Sequence, residues 1–116
     1  MNLRKETIMG LFSRLFSKVY DIRSLNEEQL FRLVSFFERG WALEARRYAN
    51  MEGPLDVLVD KNIAKGLRKG CLTGDELDTV IALLLIDQKR YGEDDDTKVL
   101  VRELRYIRDN DVLYVE

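Results

Sequence analysis

Leu25-Asn26-Glu27-Glu28-Gln29-Leu30 and Leu72-Thr73-Gly74-Asp75-Glu76-Leu77 follow one six-position pattern. Each spells the start of a helix in full. Asn26 or Thr73 can accept a hydrogen bond from an orphan N–H of the first turn, Gln29 or Glu76 can reach back to the cap residue's own N–H, and the flanking leucines clamp the entry angle. Two helix starts are therefore fixed before any other feature is considered. Shifting the sequence by 47 positions superimposes the caps and also pairs Ile8 with Leu55, Leu11 with Leu58, Phe12 with Val59 and Phe16 with Ile63. That register suggests two related helical hairpins, although amphipathic helices slide into register easily and two copies do not make a solenoid.

Hydrophobic spacing extends the caps into a chain of helices. Ile8, Leu11, Phe12, Leu15, Phe16, Val19 and Ile22 recur at three- and four-residue steps and predict a helix over 5–22. After Asn26, Leu30, Leu33, Val34, Phe37, Trp41 and Tyr48 line one side of a second helix, with Phe31 and Phe36 near its edges. Good helix formers after Gly40 favour its continuation to about Asn50. Gly53-Pro54 stops and restarts the chain for a third helix that buries Leu55, Leu58, Val59, Ile63 and Leu67 and ends at Gly70. The fourth, capped by Thr73, contains Val80 to Ile86, apolar nearly all round, and reads as the centre of the core. It closes on Lys89, Arg90 and Gly92. Asp95 or Asp96 caps a fifth helix bearing Val99, Leu100, Leu104 and Ile107, and Val112-Leu113-Tyr114-Val115 has strand propensity without an evident partner. The fold class is all-α: a bundle of about five helices built from two antiparallel helical hairpins, a fifth helix and a short extended C-terminal tail, as a single domain over 1–116.

Composition then excludes more chemistry than it supplies. Histidine is absent, which removes the usual general base and the commonest zinc ligand together. Cys71 is the lone cysteine, so no intrachain disulfide forms, and a reducing cytoplasm is the expected setting. No run approaches the roughly 18 apolar residues of a membrane span, and no secretory signal is legible. Gly66, Gly70 and Gly74 match neither phosphate-loop nor dinucleotide spacing. Glu93 to Asp96 lacks the alternation, glycine and distal glutamate of a calcium loop. Asp87, at the end of the most apolar helix, could be a partly buried carboxyl with a raised pKa, but an aspartate in a last turn more commonly pairs with a cation such as Lys89 or Arg90 or with a residue on another helix. No cofactor, metal or enzymatic activity is expected.

Charge is uneven: residues 1–70 sum to +4 and residues 71–116 to −6. Lys61, Lys65, Arg68 and Lys69 share a helix face, and with Arg46 and Arg47 they form the best polyanion signal. Asp56 and Asp60 on the same helix weaken it. The segment from Asn62 to Leu85 has the outline of a helix-turn-helix, but its second helix opens with Asp75, Glu76 and Asp78 where base-reading side chains would stand. The expected function is non-enzymatic protein–protein interaction, as an adaptor, regulator, inhibitor or assembly subunit, with a homodimer as one form. Phe31, Phe36, Trp41 and Tyr48 are the expected anchors, beside Arg46 and Arg47, because aromatics and arginines dominate binding hot spots. Two alternatives stand: nucleic-acid association through Lys61, Lys65, Arg68 and Lys69, and membrane-surface contact through the amphipathic stretch 5–22.

Overall fold

The structure, a computed structural model, describes residues 18–115. The chain runs β1 (Val19–Asp21), α1 (Glu27–Glu38), α2 (Trp41–Tyr48), α3 (Asp56–Lys69), β2 (Cys71–Thr73), α4 (Gly74–Tyr91) and α5 (Asp95–Asp109). Helix takes 68% of the described residues, with a small two-stranded sheet added to it.

Both capping boxes form. Asn26 Oδ1 accepts from Gln29 N at 2.8 Å while Asn26 N donates to Gln29 Oε1 at 3.0 Å. Thr73 N donates to Glu76 Oε1 at 2.9 Å and Thr73 Oγ1 accepts from Glu76 N at 3.2 Å. The cap of α5 falls one residue before the expected pair: Asp94 accepts from the Thr97 backbone N–H at 2.8 Å and from its hydroxyl at 2.8 Å. Those bonds, the backbone one foremost, hold the Asp94 carboxyl below the ordinary range of an aspartate. Gly70 closes α3 in the left-handed region, as its position implied.

The sheet is the main departure from an all-helical reading. Residues 5–17 of the first expected helix lie outside the described residues, but its last turn does not form: β1 pairs antiparallel with β2, Tyr20 opposite Leu72. Val19, Tyr20 and Ile22 satisfy a helical period and a strand alternation equally, and their β-propensity wins once a partner strand is available. Tyr20 and Leu72 are both almost fully buried at the pairing point. The C-terminal segment finds its partner here too. Leu113 bridges to Tyr20, Tyr114 N donates to Val19 O at 2.8 Å and Asp21 N donates to Val112 O at 2.8 Å. The tail therefore lies along β1 of its own chain.

Three further expectations give way. The second helix does not continue to Asn50: Gly40 adopts φ +82°, a conformation that side-chain-bearing residues rarely take, and the chain restarts as α2. The rotation at that break leaves Trp41 and Tyr48 exposed instead of in line with Leu33 and Phe37. The third helix buries Ile63 and Leu67 as anticipated and packs Val59 partly against the core, but its first turn does not follow. Leu55 and Leu58 are 64% and 55% exposed, and the buried side chains are Asp60, Ile63, Ala64 and Leu67. Finally, α3 and α4 do not form a packed hairpin. α3 lies chiefly on α1, while α4 lies on α5 and α2. On α4, Leu77, Val80, Leu83 and Leu84 are buried and Ala82 and Leu85 are exposed, and on α5 Val99 points outward while Val101 joins Leu100, Leu104 and Ile107 inside.

Candidate functional site

Where α1, α2 and α3 meet, the surface folds into a groove of about 590 Å³. Phe37, Gly40, Leu43, Val57 and Ala64 supply apolar lining, with Asp60 among them, and Glu38, Lys61, Lys65 and Arg68 complete it. Gly40, where the chain breaks between α1 and α2, lies in its lining, and Leu43 just after the restart shares the groove with Val57 and Ala64 of α3. Val57 is 54% exposed and Lys61, Lys65 and Arg68 are exposed as well, so the site is an open groove with a cationic edge.

Beneath it lies a buried ion pair. Arg46 of α2 and Asp60 of α3 are 5% and 4% exposed. Arg46 Nη1 donates to Asp60 Oδ2 at 2.8 Å and sits 2.8 Å from Oδ1 in the ion pair, where the alignment of a second hydrogen bond is lacking. Arg46 Nε lies 3.6 Å from Asp56 Oδ1, so one guanidinium faces two carboxylates. Burial raises the Asp60 carboxyl above the usual aspartate value, and the guanidinium opposes that rise. The pair ties α2 to α3.

The expected site residues separate along these lines. Lys61, Lys65 and Arg68 come together at the groove, and Lys69, also exposed, falls outside its lining. Arg68 pairs with Glu38 across from α1, and this ion pair holds the Glu38 carboxyl below its ordinary value. Lys61 and Lys65 have no ion-pair partner among the described residues. Phe36 is not an exposed anchor: it is 5% exposed and packs edge-on against Phe37 with ring centroids 5.4 Å apart. Arg46 offers no charge to a partner, because it is buried against Asp60 and Asp56. Arg47 is exposed beside Glu52 at 3.4 Å. Phe31, Trp41 and Tyr48 remain exposed aromatics on three different turns. Trp41 lies under the Arg39 guanidinium at 5.7 Å and Tyr48 under that of Arg90 at 5.9 Å, so two of the three are already in cation–π contact.

Phe37, Leu43 and Val57 were not singled out by sequence as site residues, because an apolar residue on an amphipathic helix reads as core until the neighbouring helix is placed. Asp60 did leave a signal. It sits three, four and seven positions before Ile63, Ala64 and Leu67, on the spacing of a buried stripe, where a carboxylate requires a partner. No group of three or more metal-ligating side chains occurs among the described residues, and no helix there is long and apolar enough to cross a membrane. No family model, no curated protein and no solved structure matches this chain.

Proposed function

We propose that this protein is a non-enzymatic protein-interaction module that docks a partner polypeptide in the groove between α1, α2 and α3. A single observation carries the reading: an apolar groove of about 590 Å³, within the roughly 300–1,000 Å³ range of binding sites, is edged by Lys61 and Lys65, two lysines without an ion-pair partner among the described residues. Monomer surfaces scatter single apolar side chains commonly, but a concave apolar site with a polar rim marks binding. Adaptor, regulator, inhibitor and assembly subunit are all forms of this one activity, and a cytoplasmic location agrees with it.

The test is contact mapping in the native setting. A photoreactive residue replacing Val57 should crosslink to another polypeptide in high yield, and the same residue replacing Tyr106, exposed on α5, should not. Equal or absent crosslinking at the two positions would remove the groove as the docking face.

A further inference from the structure

Resting on that reading, we infer that the groove's occupant is an acidic amphipathic helix, one that sets apolar side chains against Phe37, Leu43, Val57 and Ala64 and places carboxylates over Lys61 and Lys65. Charge complementarity selects this chemistry. Val57, Lys61, Lys65 and Arg68 succeed one another at steps of four, four and three along α3, so they form a single stripe about 16 Å long at 1.5 Å per residue. Arg68 spends its charge on Glu38. Lys61 and Lys65, about 6 Å apart along the axis, have no such partner among the described residues, and an extended row of two exposed like charges above an apolar floor matches carboxylates at i and i+4 on an opposing helix.

The rest of the molecule is consistent with an acidic visitor and not with a basic one. The groove's one other exposed charge is Glu38, already engaged by Arg68, and its one buried carboxylate, Asp60, is occupied by Arg46. A basic helix would therefore meet two lysines and no available carboxylate. Helix-in-groove recognition uses anchors at i, i+3 or i+4 and i+7. A stripe of this length accommodates two helical turns of such anchors.

The probe is a synthetic fluorescein-labelled 16-residue helix with leucine or phenylalanine at i, i+3, i+4 and i+7 and glutamate elsewhere, titrated with the full chain and followed by anisotropy. It should bind at low salt, and raising the salt should weaken it, since exposed charge attraction is screened at a Debye length of about 8 Å at 0.15 M. Lys61→Glu with Lys65→Glu should weaken binding by about tenfold or more, equivalent to ~1.4 kcal/mol. Val57→Ser should also weaken binding and should leave its salt dependence in place. Both variants change exposed positions, so circular dichroism should report an unaltered fold. A peptide with lysine in place of every glutamate should not bind. Preferential binding of that lysine peptide overturns the proposed partner chemistry yet leaves the groove as a docking site. Equal binding by the wild type and the double lysine variant also overturns it. So does retention of a homopolynucleotide or of oleate vesicles in preference to the peptide, or self-association of the chain that the lysine variant abolishes. If neither peptide binds and the Val57 photocrosslinker captures nothing, the interaction reading itself has failed.

Discussion

Asp60 and Lys61 are neighbours on α3 and opposite in consequence. The inner face of that helix carries Asp60, Ile63, Ala64 and Leu67, all buried, and the outer face carries Lys61, Lys65 and Arg68, all exposed. Inside, a charge is tolerated because a second charge meets it at 2.8 Å. Outside, Lys61 and Lys65 stand without an ion-pair partner among the described residues, solvated by water. The difference teaches how one helix serves two tasks. Inner residues tie α3 to α2, and on the outer face Arg68 pairs with Glu38 of α1 while Lys61 and Lys65 have no ion-pair partner among the described residues.

Substitutions should divide along the same line. Asp60→Ala should have the largest effect, about 3–5 kcal/mol, because it strands a buried guanidinium. Asp56, at 3.6 Å from Arg46, should hold the loss toward the lower end. A urea melt checks this, and a loss below about 1 kcal/mol would show that the inner face is not structural. Replacing the pair together, Arg46→Met with Asp60→Leu, should recover much of that stability, since a buried ion pair often exchanges with apolar packing near neutrality. Failure of the double variant to exceed Asp60→Ala would mean that the pair holds the groove by geometry that methionine and leucine cannot supply.

Next in size comes Thr73→Ala, which removes the side-chain cap of α4 immediately beyond α3 and should cost about 1 kcal/mol. This loss sharpens the comparison, because it should weaken the fold without altering peptide binding at the groove. An equal drop in affinity would show that the groove depends on α4 and not on α3 alone. The smallest expected effect is that of Lys61→Glu with Lys65→Glu, within about 0.5 kcal/mol by denaturation. A larger loss would make the lysines part of the fold and break the division between the two faces.

How much of this was legible in the sequence depended on whether the signal was local. The caps at Asn26 and Thr73, the glycine at the end of α3 and the apolar body of α4 are written in contiguous residues, and each forms where expected. The strands were not legible. Cys71-Leu72-Thr73 is a three-residue run between two helices, and Val19-Tyr20-Asp21 fits the end of a helical stripe, so only their pairing with each other and with Leu113 makes them strands. The 47-position register places both caps where they form, and its pairs from Ile8 to Phe16 lie outside the described residues. Just ahead of the caps the two copies differ, since a turn over 22–25 separates β1 from its helix while β2 runs directly into α4. The site was half legible. Lys61, Lys65 and Arg68 were visible as a basic stripe, but the floor beneath them depends on the turn at Gly40, where sequence propensity favoured a continuous helix and a left-handed glycine prevailed.

The most direct test of the division between the two faces is a two-dimensional amide spectrum of the full chain recorded during titration with the acidic peptide. Shift changes should concentrate on Leu43, Val57, Lys61, Ala64 and Lys65, with the amides around Val99 and Tyr106 on α5 unmoved. Changes centred on α5, or spread evenly over the molecule, would contradict the assignment of the outer face of α3 as the binding surface.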